Sequence, residues 1–164
     1  HKKIVFIVAA ALAAIVIIGA IAMCAIFPNK FANEVNAAAE EFGLDRTLVR
    51  AVVWAESKFD KRAVSHKGAQ GLMQLMPDTF DECATALLIQ NADPYSPLDN
   101  LRCGCYYLSL LTEKFDGDTE AALMAYNAGE SNAQKFLDGE PIFPETKKYI
   151  KDISLARKIY GLFD

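Results

Sequence analysis

Hydrophobic residues fall along this chain in two different patterns. From residue 4 to residue 27 they run almost without a break. That stretch holds no charged residue and consists nearly entirely of Ala, Ile, Val, Met and Phe. Beyond Pro28 they recur at spacings of three and four, the helical period, in segments separated by Gly, Pro, Asn and Asp. The first such segment carries Val35, Ala38, Ala39 and Phe42, with Asn33 as its cap and Gly43 as its stop. Asp45 caps the next, which carries Leu48, Val49, Val52, Val53 and Glu56. The period is lost between residues 59 and 77, where Gly68 and Gly71 predict tight backbone turns and irregular or short β structure. It resumes over 78–88, then over 98–115 behind the Ser96-Pro97 cap, and again from Asp118 or Thr119 to Asn127. A short helix over 131–137 and a last one from Pro144 through Tyr149, Ile150 and Ile153 complete the pattern. No strand-like alternation of useful length occurs, so the chain beyond residue 32 reads as a mainly α domain without internal repeats.

The unbroken run is long enough for a different role. A helix of about 20 apolar residues spans a bilayer, and basic residues such as Lys2 and Lys3 stay on the cytoplasmic side. The expectation is a transmembrane anchor over 1–27, a short linker over 28–32, and a domain over 33–164 outside the cytoplasm. The competing reading is a cleaved signal peptide, whose apolar region is usually only about 7–15 residues long. Ala20-Ile21-Ala22 resembles a cleavage site for it.

Charge narrows the partners. With Lys2 and Lys3 set aside, 15 of the 17 basic residues face 21 acidic ones, a net charge of −6 for the outer part. Such a surface argues against nucleic acid as a partner. Of the four cysteines, Cys24 lies in the apolar run and the other three lie beyond it. Cys83 paired with Cys103 or Cys105 would tie two helices together; three small buried thiols is the alternative. No C-x-x-C spacing occurs and the histidines are His1 and His66, which disfavours a zinc site.

Glu56 stands out among the acids. It follows Val52 by four residues, Val53 by three and Val49 by seven, which sets its carboxyl on the apolar face of its helix. A carboxyl against apolar groups is costly to ionise, and the negative end of a helix terminating near Ser57 raises its pKa further. A carboxylic acid that keeps its proton near neutral pH suits protonation of a poor leaving group. Asp60, within Phe-Asp-Lys-Arg, reads as a solvated residue with Lys61 and Arg62 as candidate partners, and not as a second catalytic carboxylate.

The sequence around Glu56 then narrows the class. Glu56-Ser57-x-Phe59, Ala63-x-Ser65 and Gly68-Ala69-x-Gly71-Leu72-Met73-Gln74-Leu75-Met76-Pro77 resemble the soluble lytic transglycosylases, lysozyme-like enzymes that cleave peptidoglycan. The resemblance continues through Asn100-Leu101-Arg102, Ala125-Tyr126-Asn127-Ala128-Gly129 and Glu145-Thr146-x-x-Tyr149, in the family order, over roughly residues 33–155. It departs at Phe80, Cys83, Cys103 and Cys105, where smaller or aliphatic residues are usual. The implied architecture is a mainly α, lysozyme-like domain with a small irregular or β region after the catalytic helix, preceded by the transmembrane helix.

By the same resemblance Glu56 is the single general acid and base, and Ser65, Gln74 and Met76 line the cleft beside it. Tyr126, Asn127, Glu145 and Tyr149 match positions that hold or orient sugars. Hydroxyl and amide groups hydrogen-bond acetamido and hydroxyl groups, and Tyr and Met pack on sugar faces. Met73 and Met76 also suit a plain core, and Glu145 a first-turn acid. The expected partners are peptidoglycan strands and, through the anchor, the bacterial cell membrane in a single pass; no cofactor is expected. The implied reaction cleaves the bond between N-acetylmuramic acid and N-acetylglucosamine and leaves 1,6-anhydro ends. A hydrolase on the same fold and a non-catalytic glycan-binding assembly protein are the alternatives.

Overall fold

A computed structural model describes residues 2–163 and, within them, every side chain but those at positions 5, 8 and 9. Helices α1 (Lys2–Ile26), α2 (Ala32–Glu41), α3 (Arg46–Ser57), α4 (Pro77–Ala86), α5 (Pro97–Lys114), α6 (Thr119–Ala128), α7 (Glu130–Leu137) and α8 (Pro144–Tyr160) follow one another along it. Between α3 and α4 the backbone makes two isolated antiparallel bridges, Val64 with Gln70 and Gln70 with Leu75, so the expected irregular region is present.

Helix α3 is the hub. Its start is fixed by Asp45, whose carboxylate accepts from the Thr47 and Leu48 amides. With no Gly or Pro inside it, the helix buries Val49, Ala51, Val52 and Val53 completely. Burial of each valine stabilises the fold by roughly 1.5–3 kcal/mol. Around it pack Val35, Ala38 and Ala39 of α2, Leu101, Cys105 and Leu108 of α5, and Ile153, Ala156 and Tyr160 of α8. A second cluster joins the end of α5 to α6 and α7 through Leu111, Phe115, Ala122, Met124 and Ala133. A third sets Phe80, Cys83 and Ala84 of α4 against Leu75 and Cys103.

Several predicted ends hold. Asp45, Ser96 and Asp118 cap α3, α5 and α6 with their side chains, and Pro97 and Pro144 open α5 and α8. Asn33 does not cap α2. That helix begins at Ala32 after Phe31, which takes a left-handed conformation without a side-chain cap bond.

The expected transmembrane anchor is overturned: among the described residues no helix is long and apolar enough to cross a membrane. The apolar run includes positions 5, 8 and 9, which lie outside the described side chains. Membrane anchoring through α1, and with it the single-pass placement, loses its support. The cysteines resolve toward thiols. All four are free, with Cys83, Cys103 and Cys105 buried, and burial pushes the Cys83 and Cys103 thiols up to about 11 and about 12.

Candidate active site

Helix α3 ends where its carboxyl is needed. Lys58 and Phe59, both left-handed, reverse the chain immediately after Ser57. Glu56 is therefore left on the last turn, half-buried. The phenol of Tyr149, on α8, donates to Glu56 Oε1 at 2.5 Å. Burial raises the Glu56 carboxyl to about 7, against the opposing pull of that hydrogen bond and of the Lys58 ammonium. Desolvation thus outweighs both groups that favour the anion. The phenols of Tyr149 and Tyr126 are pushed well above their usual range, first by burial and then by the Glu56 charge, so both keep their protons.

The loop opposite is held by buried polar groups. Asn100 of α5, fully buried, accepts from the Met73 amide at 2.7 Å and donates to the Gln70 and Pro94 carbonyls at 3.1 and 2.9 Å. All its amide atoms are thereby engaged, and the loop is pinned at both ends. Gly71 sits against this bracket with φ +78°, and a Cβ there would lie 2.3 Å from both Asn100 Nδ2 and the Pro94 oxygen. Only glycine fits. The Ser57 hydroxyl donates at 2.8 Å to the Leu72 carbonyl, which ties the loop to the end of α3 itself.

The expected site residues separate into two groups. Ser65 and Gln74 build the loop: Ser65 Oγ accepts from the Ala69 amide, and the Gln74 amide donates to the Ala63 and Gly71 carbonyls. Gln74 is itself left-handed at φ +49°, a conformation disfavoured by roughly 1–2 kcal/mol, and those two bonds offset it. Tyr126 donates to the Met73 carbonyl at 2.8 Å, so its hydroxyl holds the loop while its ring faces an open cleft.

That cleft, about 250 Å³, is lined by Gln74, Met76, Thr79, Tyr107, Tyr126 and Asn127 among others. Met76 is exposed there, 44 % accessible, and not in the core. Asn127 and Glu145 are also exposed, and among the described residues no hydrogen bond engages either side chain. Glu145 lies on the first turn of α8, four residues before Tyr149, and so on the same face. Asp60 is exposed and accepts from the Arg62 amide, a turn contact away from the carboxyl of Glu56.

Three contributors were not singled out from the sequence as part of the site. Asn100 was visible as a motif residue, but its partners lie up to 30 positions away. Tyr107 had no signal beyond its helical position. Lys58 had only its place two residues after Glu56.

Comparison with known proteins meets this geometry. The profile of the Transglycosylase SLT domain family matches residues 33–148. The chain belongs to that family. A transglycosylase of Enterobacteria phage PRD1 is 42% identical over 101 residues, covering 60% of this chain and 35% of the phage protein. Membrane-bound lytic murein transglycosylase C of Haemophilus influenzae is 29% identical over 124 residues, covering 68% of this chain and 35% of that protein. This SLT chain thus spans about a third of the length of the curated relatives it matches. Among solved structures, an inactive glutamate-to-glutamine mutant of the lytic transglycosylase Slt from Pseudomonas aeruginosa superimposes with a TM-score of 0.78 at 31% identity, over 83% of this chain and 24% of that one. The 70 kDa soluble lytic transglycosylase of Escherichia coli, at 24% identity and a TM-score of 0.76 over 84% of this chain and 25% of that one, shares the fold. The mainly α, lysozyme-like architecture expected from the sequence is the one these structures have.

Proposed function

We propose that this chain is a peptidoglycan lytic transglycosylase in which Glu56 serves as both acid and base and residues 33–164 form the working domain. The observation that carries the reading is the setting of Glu56: a half-buried carboxyl raised to about 7, at the end of the central helix, its charge felt by Tyr126, which lines the open cleft. At that pKa the group is substantially protonated near neutral pH and still becomes a competent base after giving up its proton.

The reaction runs in two steps. Glu56 donates its proton to the oxygen bridging N-acetylmuramic acid and N-acetylglucosamine. The muramoyl C1–O bond breaks, and the substrate's own N-acetyl group steadies the positive charge at C1. The Glu56 carboxylate then takes the proton of the muramoyl 6-hydroxyl as its oxygen bonds to C1. The 1,6-anhydro ring closes, Glu56 regains its proton, and no water is consumed. The Tyr149 phenol, donating to Oε1, steadies the carboxylate between the steps and leaves the other oxygen for the substrate. The exposed Met76 and Asn127, with the ring of Tyr126, offer sugar-binding surface along the cleft, and Glu145, exposed on the face of α8 that carries Tyr149, offers a further group to the substrate. The domain acts outside the cytoplasm, where peptidoglycan lies.

The relatives' names support the substrate class, and a single glutamate-to-glutamine change accompanies inactivity in the Pseudomonas enzyme. The test is digestion of purified sacculi beside Glu56→Gln. Loss of cleavage by about 10²–10⁴-fold is expected in the variant. An active, folded Gln variant would defeat the assignment.

A further inference from the structure

The first turn of α8 borders a second, smaller cavity that the reaction scheme leaves unused. It measures about 70 Å³ and lies between the end of α6, helix α7, the turn after it and the start of α8. An apolar cavity of about 150 Å³ holds a benzene ring, so this one excludes a sugar ring and admits a small end group. Thr146, which lines it, is 3 % accessible, and no hydrogen bond engages its hydroxyl among the described residues. A buried hydroxyl without a partner costs stability until water or a ligand meets it. The cavity is where one can.

The groups around that hydroxyl carry both signs of charge. Helix α8 begins without a side-chain cap, and its first bonded amide is that of Lys147, on the Phe143 carbonyl. The amides of Glu145 and Thr146 therefore have no acceptor among the described residues, and free amides at a helix start favour an anion. Lys135, in the last turn of α7, also lines the cavity. Asn132 gives its amide to the Ala128 carbonyl at 2.8 Å, which leaves its oxygen as an acceptor. Glu140 adds a carboxylate. Its own amide donates at 2.9 Å to the Lys135 carbonyl, so the turn keeps the two charged residues at one end of α7. Neither Lys135 nor Glu140 has an ion pair among the described residues.

We propose that this cavity binds the small zwitterionic end of an amino acid, its carboxylate on Thr146 and Lys135 and its ammonium on Glu140 and the Asn132 oxygen. The charges decide the class. Glu140 repels a plain carboxylate or phosphate, and Lys135 with the start of α8 repels a plain amine. A ligand with both groups on one carbon answers both. Two sources carry such an end. One is a free amino acid such as D-alanine. The other is the unlinked end of a diamino acid in the peptides of peptidoglycan, a source that rests on the proposed function; the site itself does not.

The experiment follows the backbone amides of the full chain by NMR during titration with D-alanine, acetate, methylamine and N-acetylmuramoyl-L-alanyl-γ-D-glutamyl-meso-diaminopimelate. The last has no glycosidic bond to cut. The zwitterionic probe should shift the amides of Thr146 and Lys135 saturably, and acetate and methylamine should each bind about tenfold or more weakly. Lys135→Met and Glu140→Gln, both at exposed side chains, should each weaken binding about tenfold, and Thr146→Val about threefold. Saturable shifts from the muramoyl peptide that Lys135→Met weakens name peptidoglycan as the source; shifts from D-alanine alone name the free amino acid. Acetate binding as tightly as the zwitterions, or affinities unchanged in Lys135→Met and Glu140→Gln, overturns the proposal. So does the absence of a saturable shift with both zwitterions. No reading here needs turnover, so failure is distinct from failure of the Glu56 assignment, which the sacculus digest reads.

Discussion

The two sides of the cleft use polar residues in opposite ways. On the loop side, Asn100, Ser57, Ser65, Gln74 and the Tyr126 hydroxyl all bond to the backbone of residues 53–75 or of Pro94. On the other side, Asn127 lines the cleft with the exposed Met76, and Glu145 is exposed on the first turn of α8, neither Asn127 nor Glu145 having a side-chain hydrogen bond among the described residues. One wall is polar because its backbone has to be satisfied where no regular sheet or helix exists. The other is polar because it is open to a ligand. Glu56 belongs to neither: it is buried enough to be a weak acid and has one phenol for a partner.

The contrast predicts where stability and activity part company. The largest stability loss falls on the bracketed wall. Asn100→Ala leaves the Met73 amide and the Gln70 and Pro94 carbonyls without their partner, a destabilisation of about 3 kcal/mol or more by chemical denaturation. Gly71→Ala should be comparably harmful, since its Cβ has no room and its φ is positive.

Glu56 should behave in the reverse sense. Its folded pKa, about 7, lies above the ordinary 4.5. The native state is therefore fully favoured below the unfolded value and loses stability as pH rises toward 7, after which the loss is constant. Glu56→Gln, which mimics the protonated form, should raise stability by about 3 kcal/mol at pH 8 and leave it nearly unchanged at pH 4. Equal effects at the two pH values would contradict the burial argument.

Tyr149→Phe removes one hydrogen bond to the carboxylate, worth roughly 1.5–3 kcal/mol with a charged acceptor. Glu56 should titrate higher, and cleavage at neutral pH should fall about tenfold or more as the base form is weakened. The smallest stability change is expected at Asn127→Ala, within about 0.5 kcal/mol, with loss of affinity for glycan fragments as its readout. A large destabilisation there would mean that Asn127 belongs with the structural wall.

Much of this arrangement is legible in the order of residues, for reasons that are local. Asp45, Ser96 and Asp118 act on amides two or three positions away, and the valine spacing before Glu56 marks the buried face of its own helix. Local signals also mislead: Asn33 looks like a cap but lies inside α2, because Phe31 turns the chain two residues earlier. What the sequence conceals is the long-range pairing. Asn100 meets Gln70 and Met73 across the loop, and Phe27 reaches Trp54 from another helix. For the same reason Ser65, Gln74 and Tyr126 read as sugar-binding groups, although their side chains bond to the loop's backbone. Period and capping carry no information about such partners.

The central claim is that one carboxyl, Glu56, performs both proton transfers. It is tested most directly by digesting purified sacculi with the wild-type chain and with Glu56→Gln and weighing the released muropeptides. The account predicts wild-type ends one water lighter than reducing ends and no comparable release by the variant. Reducing ends alone, or cleavage that survives the substitution, would contradict it.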